Sequence, residues 1–223
     1  MISKAALQLL ITIIIISAPT LVWADDIISE PPEQAAPDTH YVFYLHGRIV
    51  QEVGPRPTHP RYGLYDYPLI LEALAADGIT VISERREPGT HPEKYAELVA
   101  EQVKELLALG ADPGNVTVVG FSVGGVITIR ASSLLDDTDI NFVILAGCWA
   151  WLEDEPKIRL HGHVLSVFEE SDQTTSCDKL AQRGPQPLSF EEFSINTGKE
   201  HGAFYLPNDE WLNPVLAWIQ RQR

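Results

Sequence analysis

Residues 116–125 read Val-Thr-Val-Val-Gly-Phe-Ser-Val-Gly-Gly, four β-forming residues followed by one hydroxyl, Ser122, enclosed by Gly120, Gly124 and Gly125. Glycine weakens a buried strand, so three of them around one serine imply a steric demand. A sharp strand-to-helix turn makes that demand. Its apex is strained, and the residues two before and two after must be small or the incoming helix meets the strand. Such a turn lifts the Ser122 hydroxyl above the sheet edge. It also aims the first N–H groups of the following helix at the space where an oxyanion would form. This is the equipment of a nucleophile for acyl transfer, and a serine hydroxyl needs a base in hydrogen-bond reach, with a carboxylate to hold that base's tautomer.

The elements that must position these groups follow from periodicity. Residues 40–45, "HYVFYL", form a short apolar run consistent with a strand buried on both faces, ending at His46-Gly47. After a proline-rich loop, helical spacing runs over 64–77 and Gly78 closes it. Then come a strand at 79–83, an amphipathic helix over 91–110, the strand "VTVVGF", and a helix from Val123 to about Leu135. Strands follow at 140–147, 163–169 and, more weakly, 189–196, before a closing helix that contains Pro214. This alternation predicts an α/β fold with a doubly wound, mostly parallel sheet flanked by helices. His201 lies in a glycine-flanked loop between the last strand and the last helix, on the rim where a parallel sheet gathers its loops. It is the expected base. His161 and His163 flank the start of a strand, the opposite rim; His59 and His91 stand beside prolines, and His40 begins the first strand.

Taken together, "GFSVGG", "YLHGR", "FEESD" and "KEHGAF", in that Ser…Asp…His order, resemble the α/β-hydrolase superfamily over nearly the whole domain, from His40 to about Trp218. The resemblance implies a catalytic triad of Ser122, Asp172 and His201. Glu169 and Glu170 are alternatives to Asp172; otherwise they are solvated charges at a strand end. It also implies an oxyanion hole from the backbone N–H groups of Val123 and Arg48, with Gly47 and Ile49 as alternatives for the second donor. His46, which can be mistaken for a base, is expected to be structural, as are Gly47, Gly120 and Gly124. Larger members of the superfamily have two further strands before the His-Gly strand. Here the preceding segment leaves no room, so a minimal sheet of about six strands is expected, and the stretch of about fifteen residues between the strands at 140–147 and 163–169 is too short for a large lid.

Cys148 and Cys177 each follow a strand and would sit on the catalytic rim if those strands are neighbours, either bridged or as two buried thiols. Trp149 and Trp151 either line an acyl or leaving-group pocket or cap the core under a loop. Arg85 and Arg86 are read as surface cations pairing with Glu84 and Glu87, or else as contacts for an anionic substrate.

Residues 1–24 carry Lys4, an apolar centre, Pro19 and a small residue before two acids, the pattern of a secretory signal peptide, with an uncleaved anchor as the alternative. Residues 25–38 read as a flexible acidic linker, and 39–223 as the hydrolase domain. The net charge of −15 repels nucleic acid and anionic lipid, so neither is expected as a partner, nor any membrane partner beyond the export signal. No cluster at metal-ligand spacing occurs, and no metal or organic cofactor is expected. The expected function is an exported, secreted or periplasmic serine hydrolase that cleaves a small-molecule or acyl substrate, an ester or thioester, through an acyl-serine. An amidase, peptidase or acyltransferase with the same triad is the alternative, as is a non-catalytic binding protein on a hydrolase scaffold.

Overall fold

A computed structural model describes residues 26–136 and 139–221. The expected signal segment, 1–24, lies outside the described residues. The strands are β1 (Ile27–Ile28), β2 (Tyr41–Leu45), β3 (Thr58–His59), β4 (Gly63–Leu64), β5 (Thr80–Ile82), β6 (Val116–Phe121), β7 (Asn141–Leu145), β8 (His163–Glu169) and β9 (Ser189–Ile195). The helices are α1 (Arg48–Val53), α2 (Tyr67–Leu74), α3 (Pro92–Ala108), α4 (Val123–Leu134), α5 (Asp178–Ala181) and α6 (Asp209–Ile219).

Seven strands form one sheet in the order β1-β5-β2-β6-β7-β8-β9, and every neighbouring pair in it is parallel. The chain leaves β2 toward β5, then returns through α3 to β6 on the other side of β2. Connections therefore diverge at the C-terminal ends of β2 and β6, the crevice where open parallel sheets bind ligands.

Strand side chains alternate between two cores. Tyr41, Phe43, Val116, Val118, Phe142 and Ile144 face α3 and α4. Val42, Tyr44, Val119, Phe121, Val143 and Leu145 face α2 and α6, where Ile70, Leu74, Trp211 and Trp218 meet them. Asp66 caps α2 by accepting from the Leu69 N–H at 3.2 Å, which explains why this helix begins at Tyr67 rather than at Leu64, where its apolar spacing starts.

The sheet has seven strands where about six were expected, and the addition is β1, inside the acidic stretch read as linker. Two apolar residues carry no readable period, yet the free edge of β5 recruits them: Val81 N–H donates to Asp26 O at 2.6 Å and Ser83 N–H to Ile28 O at 2.8 Å. The segment stays docked further on, where Asn115 Nδ2 donates to Pro37 O at 2.7 Å. The β3–β4 hairpin in the proline-rich loop was likewise not predicted. No helix among the described residues is long and apolar enough to cross a membrane.

Candidate active site

Ser122 stands between β6 and α4 with φ 57° and ψ −116°, the strained apex a sharp elbow requires of a non-glycine residue. Its N–H is spent on Leu145 O at 2.9 Å, which fixes the turn to the neighbouring strand. The glycines answer the steric demand directly. A Cβ on Gly120 would stand 2.2 Å from Gly124 O, and one on Gly124 would stand 1.8 Å from Leu45 O. Gly125 has a different reason: its Cα side packs on Gly147, where a Cβ would approach to 2.7 Å.

The loops after β8 and β9 bring the other two residues to this apex. Ser122 Oγ lies 2.8 Å from His201 Nε2, and His201 Nδ1 lies 2.6 Å from Asp172 Oδ2. With Nδ1–H donating to the carboxylate, Nε2 is left to accept the serine hydroxyl's proton. The Asp172 side chain is only 2% exposed. Burial alone would raise its pKa, but hydrogen bonds from His201, Thr174 Oγ1 and the Gln173 N–H outweigh it and hold the carboxyl below its ordinary value. Glu170 points elsewhere, accepting from Ser194 and Asn196.

Glu169 is neither of the things its sequence position suggested. It is fully buried at the end of β8 and accepts from Ser171 N at 2.7 Å, Ser171 Oγ at 2.5 Å, Thr197 N at 3.0 Å and Gly198 N at 3.0 Å. One carboxylate thus ties the loop bearing Asp172 to the loop bearing His201. Burial would raise its pKa, but these donors lower it on balance.

On the other side of Ser122, α1 opens at Arg48 and α4 at Val123. First-turn N–H groups have no acceptor within their own helix, so both are available to a ligand oxygen. Gly47 N–H is already donated to Tyr65 Oη at 3.2 Å, which removes Gly47 from the candidates for second donor. A Cβ on Gly47 would also press to 3.1 Å on the Phe121 ring.

His46 is fully buried behind this loop. Its Nε2 accepts from Arg86 N at 3.0 Å, which places its proton on Nδ1, 2.9 Å from Gly47 O. Burial first, and the Arg86 cation second, push the imidazole pKa down to about 3. His46 is therefore neutral, with both nitrogens engaged away from Ser122.

Arg86 departs from the expectation of a surface cation. It is 2% exposed; Nη2 donates to His46 O, Nε donates to Gln51 Oε1 at 3.1 Å, and the guanidinium lies over the Tyr95 ring at 5.4 Å. Two anchors, one before α1 and one within it, converge on this side chain. Arg85 reaches the Gln51 carbonyl at 3.2 Å.

A cleft of about 350 Å3 opens over the serine, lined by Arg48, Ser122, Val123, Val126, Trp149, Trp151 and His201. Both tryptophans thus line the pocket. Trp149 also packs against the core, its ring 5.9 Å from His201, while Trp151 is 47% exposed. Cys148 and Cys177 form a disulfide that braces the Trp149 loop against the segment following Asp172. Tyr62, on the hairpin, walls the far side of His201 at 6.1 Å.

No protein-family model matches the sequence, and no curated protein matches it significantly. Solved structures do match in shape. Arabidopsis thaliana SOBER1 superposes with a TM-score of 0.50 at 14% identity, over 82% of this chain and 99% of that one. A thermostable esterase gives 0.55 at 18% identity, over 86% and 58% of the two chains. A Paleococcus ferrophilus monoacylglycerol lipase gives 0.52 at 15% identity, over 83% and 96%. The chain has the α/β-hydrolase fold. Within the α/β-hydrolase fold, the crevice at the ends of β2 and β6 is the place where Ser122, His201 and Asp172 meet here.

Proposed function

We propose that this protein is an exported serine hydrolase that cleaves carboxylic esters or thioesters through an acyl-serine intermediate. The observation that carries the reading is the continuous relay from Ser122 Oγ to His201 Nε2 at 2.8 Å and from His201 Nδ1 to Asp172 Oδ2 at 2.6 Å, beneath an open cleft. Ser122 attacks the carbonyl carbon as its proton passes to His201. The N–H groups of Val123 and Arg48 hold the resulting oxyanion. Collapse breaks the bond to the leaving group, which takes the proton from His201. Water then attacks the acyl-serine, giving its proton to His201, and release of the acid returns that proton to Ser122.

Asp172 remains ionised throughout and stabilises the imidazolium. The open cleft favours water as acyl acceptor. Export is supported by the signal-like residues 1–24 and by the disulfide, which persists in oxidising compartments. The mature chain then starts near residue 25, and β1 joins the sheet almost at once. A fluorophosphonate probe tests the reading: it is expected to label the mature protein at Ser122 and to leave His201→Ala almost unlabelled. Absence of label on the folded parent protein would overturn it.

A further inference from the structure

The cleft has one feature that the triad does not use. Arg48 lines it and is exposed, yet has no ion-pair or hydrogen-bond partner among the described residues. Every other described arginine has one. Arg56 meets Asp66, Arg61 meets Glu200, Arg130 meets Glu155 and Arg221 meets Glu191. Arg85, Arg86, Arg159 and Arg183 donate to carbonyl oxygens. The chain holds 31 Asp and Glu against 16 Lys and Arg, so acceptors for a guanidinium are plentiful. The arginine left without a partner is the one beside the nucleophile.

The remaining walls are apolar: Val123, Val126, Trp149 and Trp151. A guanidinium fork matches a carboxylate or phosphate, and it is worth more beside low-dielectric walls than in open water. We infer that the substrate is an amphipathic ester or thioester whose apolar part lies on the two tryptophans and whose anionic group is met by Arg48. The inference rests on the hydrolase reading of the same cleft. It goes further by naming the substrate class and its specificity-determining side chain. The bond chemistry is unchanged, and Arg48 binds without exchanging a proton.

The test compares esters that differ only in charge. One pair puts the group on the acyl side: the p-nitrophenyl monoester of suberic acid, whose carboxylate is too distant to attack its own ester readily, against its carboxamide analogue. The other puts it on the alcohol: the butyrate ester of 4-hydroxybenzoic acid against that of 4-hydroxybenzamide. In at least one pair kcat/KM is expected to favour the anion by about tenfold. Arg48→Gln brings that ratio close to one, Arg48→Lys keeps most of it, and added salt lowers it in the parent protein. The pair that shows the preference tells which side of the scissile bond carries the charge.

Binding of the same esters to Ser122→Ala by calorimetry separates the two claims. Tighter binding of the anion there, lost with Arg48→Gln, supports Arg48 recognition even where the parent protein shows no turnover; absent turnover then counts against the hydrolase reading alone. Ratios of one or less in both pairs, or a preference that Arg48→Gln leaves intact, would overturn the inference.

Discussion

The Glu169 carboxylate accepts the Gly198 N–H at 3.0 Å across 29 positions of sequence, and through Ser171 the same carboxylate holds the loop that carries Asp172. The 2.6 Å contact between Asp172 and His201 therefore sits on a pair of loops with a common anchor. Glu169→Gln presents an amide NH2 where two donors already converge from Ser171. It is expected to lower kcat by about 10- to 100-fold, with KM within about twofold, because small misplacements of catalytic groups cost rates of that order. Steady-state kinetics on the folded variant checks this. An unchanged kcat would reduce Glu169 to a packing role.

Arg86 holds the opposite side of the site. Arg86→Met keeps much of the side-chain volume but leaves His46 O and Gln51 Oε1 without their donor, so the loop before α1 and the helix itself lose a shared tether. A loss of about 2–4 kcal/mol in unfolding free energy is expected, with kcat falling more than KM changes. Arg86→Lys restores only part, since one ammonium cannot reproduce the fork. Urea denaturation beside kinetics separates the two effects.

His46 gives the fold an acid-labile element. Its folded pKa, about 3, is depressed below the ordinary 6.5, so the unfolded chain binds more protons between those values and stability falls as pH drops through that window. Asp172 and Glu169, also held below their ordinary values, add their share only below about pH 4.5, where unfolded carboxylates protonate. Denaturation midpoints are expected to decline from about pH 6.5 downward. A His46→Gln variant, less stable at neutral pH, should show a flatter slope between about pH 6.5 and 4.5. Parallel curves for the two proteins would contradict the assignment.

The disulfide closes a loop with a sequence separation of 29, worth about 3–4 kcal/mol in the chain-entropy model. Cys148→Ser with Cys177→Ser is expected to lower stability by roughly that amount. It should also raise KM more than it lowers kcat, because the freed segment carries Trp149 at the cleft wall. Thermal melts with and without reductant provide the comparison.

The turn at Ser122 was legible in the sequence because its glycine spacing is a local pattern: Gly120 answers a contact with Gly124 within the turn itself, whereas Gly124 answers one with Leu45 on the neighbouring strand, which only the fold reveals. His201 and Asp172 were legible because strand order places their loops on the same rim. Glu169 was not. Whether a glutamate at a strand end is solvated or buried is decided by Thr197 and Gly198, 28 and 29 residues away. Arg86, within Glu-Arg-Arg-Glu, reads as surface charge, and only the fold turns it toward His46. The edge strand β1 is two residues long and forms because β5 offers it an edge.

The most direct measurement is the turnover of p-nitrophenyl esters of graded chain length by the mature protein, beside Ser122→Ala and His201→Ala. A serine hydrolase predicts hydrolysis by the parent protein that falls at least about a thousandfold in each variant, with circular dichroism unchanged. Turnover that survives in Ser122→Ala, or none in a parent protein that the fluorophosphonate probe also fails to label, would contradict it.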